Sequence, residues 1–593
     1  MRTPRFLFLL FFLLLLAPAA LAGPISVTAG STLKIVSDGE TLVEAAPLPD
    51  ADFARLKSWL AASPDPSKVS SSGATVVVGS LTLQVTPEIA ERWNSSPQAL
   101  ASSFAEKLQQ RLSPPLTWGR SEQVVPLGES REIAMKLPSG VSLSVDVGNP
   151  EVVKLENLGP GRYRLSGLSR GSVTLTSTAS NRQTVPTLTV HVRPWAARWE
   201  SGPGRLDFTG PAEAKRVRAS LERWLTARAL PGTSVSAQQK GKVEGNSWTF
   251  QATASGPGAI AVEQTLSVAV TASPAKALAP AEVVMLSNHP EKIFGEGTLY
   301  QRKASAASYR LMWHHRNDPN GVERYLVVSL NNPNPAPRKL RVVWSSYGPS
   351  PDEIHVGHTA ALTYATAGMG GESELFTLPA NGSRTIEIRR VKVGQTVSGV
   401  ACLWDESGAK LPLELNVSAT LPFEQVPIAK VESRDPGRTA SGVFPAAIEK
   451  DATHTLGGPF TYIDYGGEPY VQDLEEQHPS YGNFGTMYRT RLMLHNPSDS
   501  TRQAYVGFSA PGGAARGVLL FDGTLYDLPM GRSGDGVPVT NLTLSPGETR
   551  QVDVELFPQA GSNYPVRLII RSDFERREKE ELPAPAPHRA LIP

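Results

Sequence analysis

Apolar and polar positions change their rhythm several times along the 593 residues, and each change marks an element or a module. Residues 6–16 are an unbroken apolar run, preceded by Arg2 and Arg5 and followed by Ala20-Leu21-Ala22 ahead of Gly23. A positive start, an apolar stretch and a small-residue cleavage site predict a secretory signal peptide over residues 1–22. The run is shorter than the ~20 residues a membrane-spanning helix needs. Beyond it, alternation in residues 25–27 and 32–45, with Asp38-Gly39 between two apolar stretches, predicts strands and a hairpin. Phe53, Leu56, Trp59 and Leu60 fall at helical spacing, and residues 75–86 return to a hairpin pattern. Ser96 as N-cap and Pro97 at the first helical position open a helix carrying Leu100, Phe104, Leu108 and Leu112, which Pro114-Pro115 stops. These elements predict a small α+β module over residues 23–118.

Residues 119–194 switch to short alternating strands separated by Gly, Pro and Asn, with an Asn149-Pro150-Glu151-Val152-Val153 strand start and Gly167, Gly171 and Leu175 at four-residue spacing. This stretch, from residue 120 on, resembles the N-terminal module of pilus-formation and secretin-type proteins and the bacterial Ig-like group 2 repeats. The resemblance implies a β module that supplies no catalytic residues. A second α+β module is expected over residues 195–275, with Pro211 leading a helix through Ala214, Val217, Leu221 and Leu225. The Ala/Pro-rich residues 272–281 then read as a linker.

The second half holds an internal duplication. Residues 330–346 align without a gap on 494–510, setting Asn332-Pro333 over Asn496-Pro497, and residues 377–388 align on 543–554, setting Arg384 over Arg550. The repeated segments, residues 308–402 and 487–571, have the rhythm of an antiparallel sandwich, each with a long excursion between its early and late strands. With its Leu544-Ser545-Pro546-Gly547 turn, the second copy resembles Ig-like sandwich modules of the CARDB type, which implies an adhesion or accessory role. The expected fold is mainly β and multidomain: Ig-like antiparallel β-sandwiches, here residues 276–425 and 426–572, with two small α+β modules in the N-terminal half. The charged, then Pro/Ala-rich residues 573–593 read as a disordered tail.

Composition narrows the functional classes. Removing residues 1–22 takes away two arginines and no acid, so the formal charge of +2 falls to zero. Such a chain offers no long-range attraction to nucleic acid. Cys402 is the only cysteine, so no intrachain disulfide forms and stability must come from packed sheets; strand alternation places it beside Val400 as a buried thiol. Gly167-Leu168-Ser169-Arg170-Gly171 fits the G-x-S-x-G pattern, but its place in a turn between two strands is not the strand-turn-helix of a nucleophile elbow. The sequence contains no H-E-x-x-H, Walker loop or complete G-x-G-x-x-G, and it implies no cofactor.

Two candidate sites remain. Asp352, Glu353, His355 and His358 lie within seven residues of one another, downstream of His314-His315, and in a loop could converge on a metal ion; on a strand, His355 and His358 would diverge. Tyr462, Tyr465, Tyr470 and Tyr481, with Asp464, form an aromatic and acidic stretch of the kind that recognises sugar rings. The expected function is that of an exported, non-enzymatic cell-envelope or extracellular protein. Its sandwiches would serve as scaffold, adhesion or contact surfaces for envelope proteins or cell-wall polysaccharide, without a membrane span after signal cleavage. The alternative is a carbohydrate-binding or cell-wall-binding accessory protein that uses the stretch at 460–488.

Overall fold

The structure is a computed structural model that describes residues 25–572 except 63, 114–115, 139–140, 181–182, 200, 278, 425–426, 432–440 and 535. The expected signal peptide, the Pro114-Pro115 stop and the C-terminal tail lie outside the described residues. The chain divides into two compact units, Met1–Arg193 and Pro194–Pro593, and it is mainly β.

In the first unit, period-2 alternation becomes burial. Along Leu33–Ser37 every second side chain is buried, because successive side chains leave a strand on opposite faces. Two three-stranded antiparallel sheets pack with helices Asp50–Ala61, Pro87–Arg92 and Pro97–Leu112 around one core. Ser96 Oγ accepts the Ala99 N–H at 3.2 Å, and Leu100, Phe104 and Leu108 are buried along one helix face. Residues 122–193 form a separate core between a four-stranded and a three-stranded sheet, around Val153, Leu165, Leu175 and Val190. Ser169 sits in a turn between two of these strands and donates to the Glu151 carbonyl at 2.7 Å.

In the second unit, a single sheet runs from the expected α+β module into the first repeat copy. Arg205–Thr209 pairs in parallel with Val262–Ser273 on one side and antiparallel with Ser373–Leu378 on the other. The path then continues through Arg338–Ser350, Thr396–Asp405, Ser308–Asn317 and Val283–Ser287 to Gly442–Pro445. Strands from either side of residues 275 and 425 therefore share backbone hydrogen bonds. The stretch read as a linker is also packed: the Trp404 indole donates to the Ala279 carbonyl at 2.5 Å and Ser308 Oγ to the Pro280 carbonyl at 2.9 Å. Proline removes donors from this stretch but leaves its carbonyls free to accept.

Both repeat copies are sandwiches. The first encloses Trp313, Leu326, Leu340 and Leu415, the second Leu492, Val506, Phe508 and Val552. Trp313 fits because Gly399 stands opposite it on the neighbouring strand; a Cβ there would come within 2.1 Å of the indole. The duplication is reproduced bond by bond. Leu330 pairs with Arg384 in the first copy and Leu494 with Arg550 in the second. Asn332 Nδ2 donates to the Ala336 and Pro379 carbonyls, each at 2.9 Å, and Asn496 Nδ2 to those of Ser500 (2.8 Å) and Ser545 (3.0 Å), which are the aligned positions. One buried asparagine per copy thus closes its own turn and ties it to the late hairpin.

The copies differ in their excursions. Between Arg502–Ser509 and Val537–Leu544 the second copy inserts the hairpin Ala515–Phe521 and Thr524–Gly531. Between Arg338–Ser350 and Ser373–Leu378 the first inserts a 17-residue helix, Glu353–Met369, which corrects the reading of residues 351–358 as loop or strand. Asp352 caps the helix, accepting the His355 N–H at 2.9 Å, and Glu353 adds an acid to the first turn. The helix packs against the other copy's hairpin. Ala361 and Tyr364 share a buried apolar layer with Val518, Leu525, Phe557 and Ala560. The approach is close enough to require Gly357, where a Cβ would lie 1.8 Å from the Ala560 carbonyl oxygen.

Candidate functional site

The four residues expected at a metal take separate roles in the structure. Asp352 is the helix cap. His355 is exposed, with its ring edge-on to Tyr347 at 5.2 Å. His358, one turn further along, is buried; its Nε2 lies 2.7 Å from Asp527 Oδ1 and its Nδ1 within 3.3 Å of the Gln559 amide. Burial alone would raise the Asp527 pKa, but the His358 bond and the nearby Arg516 charge hold it below its ordinary value. His358 therefore bridges the first copy's helix and the second copy's hairpin. Glu353 turns the other way and accepts from Arg316 Nη1 at 2.5 Å. It also stands with Glu291 and buried His314, the ligand atoms of the three lying within 4.8 Å of one another. Burial pushes His314 down to about 3, so its imidazole is neutral at ordinary pH. Strand neighbours His314 and His315 face opposite sides, His315 Nε2 meeting Ser287 Oγ at 2.8 Å.

The aromatic stretch is divided by the same alternation. On the strand Thr461–Tyr465, Ile463 and Tyr465 turn into the sandwich core while Tyr462 stays exposed. Tyr465 Oη lies 3.2 Å from Thr490 Oγ1, its ring is edge-on to Tyr488 at 5.3 Å, and burial pushes its hydroxyl pKa up. Asp464 accepts from Arg567 Nε at 2.6 Å and Nη2 at 2.9 Å, and that guanidinium lies 4.8 Å from the Tyr462 ring centre. Tyr470 and Tyr481 meet edge-on at 5.3 Å, with Tyr481 exposed beside a groove that Tyr300, Arg302 and His478 also line. The loop carrying them has an interior of its own. Buried Asn483 donates to the Gly467 and Pro469 carbonyls, each at 3.2 Å, and to Tyr488 Oη at 2.6 Å. Buried Asp473 accepts the N–H groups of Val443 (2.7 Å), Glu475 (2.8 Å) and Glu476 (2.6 Å). The five residues are thus spread over a core, an edge strand and a loop. They do not share one exposed face.

A further pocket of the second unit lies elsewhere, in the joint between the copies. A cavity of about 250 Å³ is bounded by the helix at Tyr364 and Ala365, by the first copy's outer sheet face at Arg310, Cys402 and Trp404, and by Val518, Leu525 and Phe557 of the second copy. Cys402 is buried as alternation predicts; its Sγ lies 2.8 Å from Tyr364 Oη, and burial pushes its thiol pKa up despite Arg310 nearby. Sequence reasoning missed Arg310 and Tyr364 because the cavity depends on a helix read as loop or strand. The signal available was Ser350-Pro351-Asp352 ahead of an alanine-rich run.

No family model and no curated protein matches the chain. Solved structures similar to it include the fibronectin(III)-like modules of CbhA from Clostridium thermocellum (11% identity, 26% of this chain and 90% of that one, TM-score 0.14). Domains 5–6 of the S-layer protein SbsC are 10% identical over 46% of this chain and 93% of that one, with TM-score 0.11. The Bacteroides ovatus protein SGBP-B, in complex with a mixed-linkage heptasaccharide, is 10% identical over 51% of this chain and 74% of that one, with TM-score 0.12.

Proposed function

We propose that this is an exported, non-enzymatic protein of the cell envelope or extracellular space, whose joined sandwiches form a stiff spacer that presents surface for contact with envelope proteins. The observation that carries the reading is the buried layer between the two repeat copies, which fixes one sandwich against the other through the helix Glu353–Met369. The N-terminal pattern of charge, apolar run and small residues supports export. The absence of any cysteine but Cys402 is met by extensive sheet cores in place of disulfides. The side chains with the best-known chemistry, His358, His315 and Asp473, are engaged in structural hydrogen bonds.

Contact with wall polysaccharide is the second reading, favoured by the exposure of Tyr462, Tyr481 and Phe460. A bacterial host expressing the whole chain tests both. The mature protein, cleaved after Ala22 and found outside the cytoplasm, is then offered envelope-protein and purified wall fractions. The spacer reading expects crosslinking to envelope proteins that survives Tyr462→Ala with Tyr481→Ala. Wall binding lost in that double variant would move the assignment to carbohydrate recognition, and an uncleaved cytoplasmic chain would overturn both.

A further inference from the structure

The cavity in the joint contains a cation without a counter-charge. Arg310 is almost fully buried on the outer face of the strand Ser308–Asn317. Its Nη1 donates to the Gly485 carbonyl at 2.7 Å and the Ala446 carbonyl at 3.2 Å, which fixes the guanidinium plane. Its Nε has no hydrogen-bond partner. Among the described residues no carboxylate forms an ion pair with it; its side-chain neighbours are Tyr364 and Cys402. Burial holds the pKa of both up, so each is protonated at neutral pH; they hydrogen-bond to each other at 2.8 Å and to Arg310, and bring no negative charge. A buried, uncompensated guanidinium is costly to keep, and one set at the wall of an apolar cavity is a receptor for an oxyanion.

The rest of the cavity defines the body of the ligand. Val518, Leu525 and Phe557 present aliphatic and aromatic surface to the cavity, the Phe557 ring centre lying 5.8 Å from the Arg310 guanidinium. The carboxylate among the lining residues, Glu555, is paired with Arg489 at 3.3 Å, so its charge is offset. At about 250 Å³ the space is smaller than the ~300–1,000 Å³ of sites for drug-sized ligands, which restricts it to a small molecule.

We infer that the joint between the two repeat copies is a binding site for a small organic monocarboxylate, with the carboxylate on Arg310 and an apolar body against Val518, Leu525 and Phe557. The site does not depend on the spacer reading, since it needs only the cavity. It arose where the copies diverged, between a helix in one and a hairpin in the other.

Isothermal titration of the mature full chain with octanoate and benzoate tests the inference, with octanamide and benzamide as neutral counterparts of the same shape. Saturable binding is expected for a carboxylate, tighter than for its amide by about tenfold or more, the value of one hydrogen bond to charge. Arg310→Met should abolish that preference. Because this change also removes the bonds to Gly485 and Ala446, Ala365→Trp, which fills the cavity from the helix and leaves Arg310 in place, is the second variant. Binding should be lost in Ala365→Trp while the thermal transition remains. The site is refuted if neither acid binds, if acid and amide bind equally, or if Ala365→Trp binds as the unaltered chain does.

Discussion

Replacing Asn496 by alanine removes a buried side chain that closes the second copy's turn from inside. Its Nδ2 donates to the carbonyls of Ser500 (2.8 Å), Ser545 (3.0 Å) and Leu544 (3.1 Å), and its Oδ1 accepts the Ser498 N–H at 3.2 Å. Ser500 is exposed, so water can replace the lost donor there. Ser545 is exposed as well, whereas Leu544 is fully buried, and its carbonyl loses a donor that water replaces poorly. At about 1–3 kcal/mol for a buried group left unpaired, this one carbonyl sets the size of the loss. Hydrogen exchange measured by mass spectrometry on peptides covering Met487–His495 and Thr549–Leu556 reads this directly. Protection in those strands should fall by about 5-fold to 150-fold, since ~1.4 kcal/mol is tenfold. Asn332→Ala should act in the same direction on Arg324–Asn332 and Gly382–Val391 but less strongly, because both of its acceptors, Ala336 and Pro379, are exposed. Asn496→Asp should be at least as damaging as alanine, since it turns a second oxygen toward the same carbonyls. A change below about twofold in Asn496→Ala, or full tolerance of Asn496→Asp, would refute the reasoning.

Two further outcomes follow from the joint and its neighbouring loop. Gly357→Ala should lower the melting temperature in a thermal scan, although helix propensity alone would favour alanine by about 1 kcal/mol. The reason is the 1.8 Å approach of the new Cβ to the Ala560 carbonyl, and an unchanged or raised melting temperature would contradict it. Asp473 sets a pH dependence. Burial raises its pKa, but three backbone N–H donors outweigh that and hold it below the ordinary value of 3.8. The stability it contributes is complete above that value and is lost as pH falls through the lower, folded one. Urea titrations from pH 7 to pH 2 should show a shallower acid loss in Asp473→Asn than in the unaltered chain.

The parts of the fold legible in the sequence are those set by local rules. Ser96-Pro97 announced its helix because capping and proline act within one turn, and the duplication announced its register because Asn332 and Asn496 stand over each other in the alignment. The inserted helix was hidden for a physical reason. It is packed between two sheets, and the narrow stripe it turns toward solvent, His355, Thr359, Thr363 and Thr366, carries none of the acids, lysines or arginines that mark a surface helix. Without it, His355 and His358 could not be placed, and the pairing of His358 with Asp527, 169 positions away, leaves no local trace. Tyr465 shows the converse case. Composition grouped it with Tyr462, and alternation on a five-residue strand separates them into core and surface.

The central claim is that the two copies form one stiff body, and a distance measured between them tests it most directly. Cys402 is buried, so cysteines introduced at exposed Ser383 and Asp499 can be spin-labelled selectively, one on each sandwich. Double electron–electron resonance should return a single narrow distance distribution, unchanged between low and high salt because the joint is held by apolar packing and not by surface charge. A broad or two-peaked distribution would mean that the sandwiches move independently, and would contradict the spacer account.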